Sequence, residues 1–234
     1  MTGSPTISAF FDEPTNTVSY LVADPATKCA AVIDPVLDYD QKSSEVDTRS
    51  VAAVLTTAQN AGYKIEWTLE THAHADHLSG SPYVKAKTGA RIGIGEHIKD
   101  VQRIFRPIFN ATDLKTDGSD FDYLFADGEH FRIGELDVGV IYTPGHTPAC
   151  VTYKIGEVAF VGDTLFMPIL ARLAPTSPVG MRANSIVRFA SSYRFRHRPG
   201  SICATTTKRP AARPMHGRRP SRTSGPRTCM SRMG

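Results

Sequence analysis

Three imidazoles and a carboxylate fall within six residues of Thr71-His72-Ala73-His74-Ala75-Asp76-His77. Histidine is uncommon, and a cluster this dense has no packing rationale, so a solvated polar turn is a poor explanation for it. Neutral imidazole suits zinc, iron or copper, and a carboxylate completes a nitrogen and oxygen set that leaves positions open for water or substrate. Two later stretches repeat the design of a potential ligand just past an apolar run and a glycine turn. They are Thr143-Pro144-Gly145-His146-Thr147 and Phe160-Val161-Gly162-Asp163-Thr164-Leu165-Phe166. Taken alone, Asp163 reads as a turn-capping residue after glycine; its company makes it a candidate ligand.

These ligands need rigid carriers. Ile65-Glu66-Trp67-Thr68-Leu69-Glu70 alternates apolar and polar residues as a strand does, and the cluster follows at its end. Alternation is expected to send His72 and His74 to one side, with the next turn bringing Asp76 and His77 back to the same point. Upstream, residues 6–11, 17–23 and 29–34 read as three short strands of an antiparallel meander, with turns at Asp12-Glu13-Pro14 and Ala23-Asp24-Pro25. Ser44 with Asp47 predicts a helix cap, and Val51, Val54, Leu55 and Ala58 then recur at helical spacing until Gly62 stops them. A second helix is expected over residues 79–87, then a strand over 91–94. A third helix, from Ile98, is expected to break at Arg106-Pro107, and the acidic stretch Asp113 to Asp122 to form a loop that walls the site. Residues 131–135 with 136–142, and 150–155 with 158–161, read as two hairpins that deliver His146 and Asp163 at strand ends. His97 and His130 match no motif and are expected to be ordinary surface or packing histidines.

The 234 residues suffice for one domain with a sizeable core. No apolar run approaches the ~20 residues of a membrane span, and the first residues lack a signal peptide's pattern, so the expected location is the cytoplasm. Cys29, Cys150, Cys203 and Cys229 are too widely spaced for a thiolate zinc site and are expected as free thiols. The net charge of +4 conceals two unlike segments. Residues 1–168 carry 13 Lys+Arg against 23 Asp+Glu, a net −10, whereas residues 169–234 carry 14 Lys+Arg and no acidic residue.

The three ligand stretches, in this order, resemble the metallo-β-lactamase superfamily, with its His-x-His-x-Asp-His signature, over about residues 6–168. That resemblance implies an α/β (α+β) fold, an αββα sandwich with metal at the sheet ends. Within the superfamily, residues 71–80 and 143–153 look most like the ETHE1-like persulfide dioxygenases. Those enzymes oxidise glutathione persulfide to sulfite and glutathione at one iron. Carried across residue by residue, the iron ligands are His72, His146 and Asp163. Two imidazoles and one carboxylate on a single face of Fe(II) leave three positions for O₂ and the persulfide sulfur. His74, Asp76 and His77 would orient the ligands or serve a second metal, with Asp76 and His77 the candidate catalytic groups. The alternative is a glyoxalase II-like thioester hydrolase, which binds two metals using every ligand of the signature and a further C-terminal histidine; Zn(II), one or two, is the alternative cofactor. The implied partners are a small thiol persulfide and O₂, with no membrane; the substrate contacts and oligomeric state stay open.

Past Pro168 the family pattern is not recognisable, and the C-terminal strand and helix units of the sandwich are expected to be missing. Relatives of this type would carry text like GTARADFPGGD and then CHDYKAPGR. Written in suitable codons and read one nucleotide out of frame, these give Ala171 to Met181 and Ala204 to Ala212. The reading of residues 169–234 is therefore an out-of-frame, disordered, Arg/Pro-rich tail, and activity of this chain is expected to be impaired. A nucleic-acid-binding tail is the competing view. It has little aromatic surface for base stacking beyond Tyr193 and Phe195.

Overall fold

The computed structural model describes residues 3–74, 77–164 and the backbone of 202–203. Its first sheet begins as the expected meander: β1 (Thr6–Asp12), β2 (Thr17–Ala23) and β3 (Cys29–Ile33) run antiparallel. Chain crossovers then add parallel strands, β6 (Lys64–Leu69) beside β3, β8 (Arg91–Gly95) beside β6, and β9 (Tyr123–Phe125) beside β8. The second sheet holds β10 (His130–Ile133), β11 (Leu136–Tyr142), β12 (Val151–Ile155) and β13 (Val158–Phe160), all antiparallel, with β14 (Ile202–Cys203) parallel to β13. A small third sheet joins β4 (Val36–Asp40), β5 (Glu45–Asp47) and β7 (Leu78–Ser79).

Strand alternation builds two cores at once. Tyr20 and Val22 face the second sheet with Ile33, Trp67, Leu69 and Phe125, meeting Val138, Val140, Tyr153 and Phe160. Leu21 and Ala23 face the other way, against Val51, Val54 and Ala58 of α1 (Arg49–Asn60) and Val84 of α2 (Ser81–Thr88). A third cluster places Ile98 and Val101 of α3 (Ile98–Ile108) on Ile94 and Ala149. Each fully buried side chain of Leu or Ile size stabilises such a layer by roughly 1.5–3 kcal/mol. The αββα sandwich is the fold of this chain.

Several local expectations need correction. Ser44 does not cap a helix: it lies at positive φ (59°) in the turn between β4 and β5, and α1 starts at Arg49 behind Thr48 without a side-chain cap. The second helix begins two residues late because Leu78 and Ser79 pair with Leu37 and Val36. Pro107 does not break α3 but sits inside its last turn. The helix beyond it is so short that the missing N–H costs little. Past Thr164 the described backbone adds only the two-residue strand Ile202–Cys203 beside β13. The rest of the tail reading, like Asp76, lies outside the described residues. His97 and His130 are surface groups as expected, each with its Nδ1 2.9 Å from a carboxylate, Asp100 and Asp137 respectively.

Candidate metal centre

Four strand ends meet at one rim of the sandwich. β6 delivers Thr71 and His72, β11 leads into the turn that carries His146, and β13 leads into the 3₁₀ turn Gly162–Thr164 with Asp163. β3 delivers Asp34, which sequence reasoning passed over as a mere strand end. Cross-links between the sheets fix these ends: Val151 N donates to Thr71 O at 2.9 Å, and the Tyr153 hydroxyl donates to Glu70 O at 3.0 Å. The Thr164 hydroxyl bonds Thr143 Oγ1 at 3.2 Å, tying the Asp163 turn to the His146 loop.

His72, His146 and Asp163 each offer a ligand atom, and these atoms lie within 4.8 Å of one another. His146 Nε2 is 3.5 Å from Asp163 Oδ2, and the His72 and His146 rings stand edge to face at 4.9 Å. His72 is buried, and its Nε2 has no hydrogen-bond partner among the described residues. A buried imidazole nitrogen left bare costs stability unless something accepts its lone pair, and a metal at the triad would do so. Burial, and then the neighbouring His74, His146 and His77 rings, hold the His72 ring well below the usual imidazole value of 6.5, so the lone pair is present at neutral pH.

The orientation of His72 has a traceable cause. The Thr71 hydroxyl donates to Asp34 Oδ2 at 2.9 Å, and His72 Nδ1 lies 3.0 Å from that same hydroxyl oxygen. With its proton committed to Asp34, the hydroxyl accepts from Nδ1–H, which leaves Nε2 as the coordinating nitrogen. Gly162 lets the Asp163 turn close over this relay. Its φ is +50°, and a Cβ there would lie 2.3 Å from Thr71 Oγ1.

The remaining signature histidines divide. His74 lies on the same side as His72, with ring centroids 4.1 Å apart, but it falls outside the first triad and forms a second with Asp34 and Glu70. Burial penalises its charged form, yet hydrogen bonding to the Asp34 and Glu70 carboxylates and then their charges outweigh that and hold the ring well above 6.5. Alternation thus placed the two rings together without giving them one target. His77 packs tilted against His74 with ring centroids 4.1 Å apart, and its Nδ1 lies 3.1 Å from Leu78 O. Glu70, Asp34, Thr71, Ser79 and Ser81 were not singled out from the sequence. Their only signal was a carboxylate or hydroxyl in or beside an apolar strand. A cavity of about 290 Å³ opens beside the signature, lined by Glu70, His74, His77, Ser79, Asp120 and Phe121 among others, so the acidic loop does help to wall the site.

Comparison with known proteins agrees with this geometry. Residues 12–222 match the Metallo-beta-lactamase superfamily, a match that runs beyond the motifs ending near Pro168. The chain is 48% identical over 165 residues to a Beta-lactamase hydrolase-like protein of Xylella fastidiosa, covering 70% of this chain and 38% of the relative. It is 44% identical over 171 residues to Glyoxylase B2 of Dictyostelium discoideum, covering 72% and 59%. Persulfide dioxygenase ETHE1 of Bos taurus is more distant, at 26% over 168 residues, covering 70% and 55%. Among solved structures, ETHE1 from Myxococcus xanthus superposes with a TM-score of 0.54 at 26% identity, covering 69% of this chain and 59% of that one. The chain spans from about two fifths to three fifths of the length of these curated relatives. Among the described residues no helix is long and apolar enough to cross a membrane. The fold, the donor triad and the match over most of the chain make this protein a member of the metallo-β-lactamase superfamily, a family of metalloenzymes.

Proposed function

We propose that the chain is a mononuclear iron enzyme of the persulfide dioxygenase type, converting glutathione persulfide, O₂ and water to glutathione and sulfite. The observation that carries this reading is the composition of the triad: two imidazoles and one carboxylate converge while His74 is engaged elsewhere. Bound there, Fe(II) would supply a centre on which O₂ and a sulfur anion can meet. His72, His146 and Asp163 would hold it, and Thr71 and Asp34 would fix the nitrogen that His72 presents. The cavity beside the signature offers space for the small substrate. Asp76 and His77 are proposed as the catalytic groups, and the cytoplasm as the location.

The test is metal analysis of purified protein combined with two assays. The expected result is at most one iron per chain and oxygen uptake that depends on glutathione persulfide but is impaired relative to a chain with the reading frame restored. A second reading, a thioester hydrolase, draws on the 44% identity to Glyoxylase B2. It requires two tightly bound zinc ions, hydrolysis of S-lactoylglutathione and no oxygen uptake. We further propose that residues from about 169 onward are translated out of frame. Resequencing past the codon for Pro168 should reveal a CHDYK-like segment one base over, and absence of that open frame would sink the idea.

A further inference from the structure

Two buried carboxylates outside the metal triad converge on a single atom. His74 Nε2 lies 3.2 Å from Asp34 Oδ1 and 3.3 Å from Glu70 Oε2. The side chains are almost sealed from solvent, at 4% for His74, 1% for Asp34 and 4% for Glu70. Both carboxylates are held from behind. The hydroxyls of Ser79 and Ser81 donate to Glu70 Oε1, so the carboxyl plane is fixed with Oε2 turned toward His74. Ser81 is itself anchored, its Oγ 2.8 Å from Thr68 Oγ1. Asp34 receives Thr71 N at 2.8 Å and the Thr71 hydroxyl at 2.9 Å. Its backbone sits at positive φ (49°) with its N–H donating to Leu69 O at 2.9 Å. A non-glycine residue held in that region marks a position the surroundings enforce.

The arrangement matters because His74 is close to the metal triad without joining it. Its ring centroid is 4.1 Å from that of His72, and a modest movement would bring a third imidazole to the ion. A third imidazole would close one of the open positions on which O₂ and a sulfur anion must both bind.

We propose that Glu70 and Asp34 form a clamp that withholds His74 from the metal and so sets the centre at two imidazoles and one carboxylate. This rests on the mononuclear reading above. Glu70 is the positioning residue, acting on the metal through His74. Its isosteric replacement separates the clamp from the fold: Gln keeps an oxygen for Ser79 and Ser81 but presents an N–H to His74 where a carboxylate oxygen stood.

Cobalt(II) added to the full-length chain gives a direct readout, because each coordinated imidazole contributes one solvent-exchangeable N–H proton strongly shifted in the NMR spectrum. Two such resonances are expected in the natural chain, three in Glu70→Gln, and two again in Glu70→Gln/His74→Ala. His74→Ala alone should keep two resonances and bind cobalt within about threefold of the natural chain, well inside the 10–100-fold losses usual for groups that orient ligands. Three resonances in the natural chain, the loss of one in His74→Ala, or a folded Glu70→Gln that keeps two would each overturn the clamp. If Glu70→Gln shows no cooperative melt, His74→Ala decides. Binding of two cobalt ions per chain would overturn the mononuclear reading separately, and the clamp would still stand or fall on whether His74→Ala loses a resonance.

Discussion

Two clusters at one rim of the sandwich invert each other's composition: His72, His146 and Asp163 against Asp34, Glu70 and His74. The first has lone pairs to spare and a buried bare nitrogen, His72 Nε2, so it is incomplete without a cation. The second sets one ring nitrogen between two carboxylates, hydrogen-bonded to Asp34 and ion-paired with Glu70, whose outer oxygens accept from Thr71, Ser79 and Ser81. The chain places both within a few ångströms, and the mononuclear proposal assigns the metal to the first because its donors outnumber its protons.

The largest effect that would break this contrast comes from removing a donor of the first cluster. Asp163→Ala and His72→Ala are each expected to lower metal affinity by more than about 100-fold, beyond the range typical of groups that only orient ligands, as read by equilibrium dialysis. Thr71→Val tests the link between the clusters. It removes the hydroxyl that bridges Asp34 and His72 Nδ1 while keeping the side chain's shape. Metal affinity should then fall about 10-fold to 100-fold, with a melting curve that stays cooperative.

How legible the two clusters were in the sequence differs for a physical reason. His72, His146 and Asp163 announce themselves because each sits past an apolar strand in a turn whose composition is unusual. Asp34 and Glu70 do not, because a carboxylate at a strand end looks like any turn former, and its partners lie 37 and 40 residues away for Asp34. The sheets were readable where alternation was long, as in β2 and β11. β4, β5, β7 and β9 were missed because Val36–Asp40 and Glu45–Asp47 are acidic and largely exposed, while Leu78–Ser79 and Tyr123–Phe125 are short pieces between a polar turn and a helix or loop. The Ser44 cap failed because that residue adopts positive φ in a tight turn, where Ser44 N donates to Asp40 O at 2.8 Å. A capping pattern and a hairpin turn use the same small polar residues.

In the metal-free chain the clusters should also titrate in opposite senses. His72 has its folded value depressed below 6.5, so the unfolded chain binds the extra proton first and stability falls as pH drops below about 6.5. His74 has its folded value raised, so its contribution is fully present below 6.5 and is lost as pH rises through the raised value. Urea midpoints across pH should therefore show a maximum, with the alkaline limb flattened in His74→Ala. A profile unchanged in that variant would remove His74 as the source of the limb.

The smallest expected effect is at Cys150, which feels both clusters. Burial pushes its thiol up to about 11, hydrogen bonds from Thr147 oppose the rise, and Asp163 and Asp34 then each add to it. One carboxylate belongs to each cluster, so the thiol can report which of them gains positive charge. A cation bound at Asp163 should offset that residue's share and lower the value, while burial, the largest cause, keeps it above the usual thiol range. The rate of alkylation alone would mislead, since metal binding also suppresses the opening needed to reach a sealed side chain. The pH at which the rate is half-maximal separates the two influences. Mass-spectrometric footprinting at Cys150, with the half-buried Cys29 as internal reference, should show that midpoint moving downward on metal loading while the plateau holds or falls. A midpoint that stays fixed with metal bound would mean that the cation does not sit against Asp163, and the contrast between the two clusters would have to be redrawn.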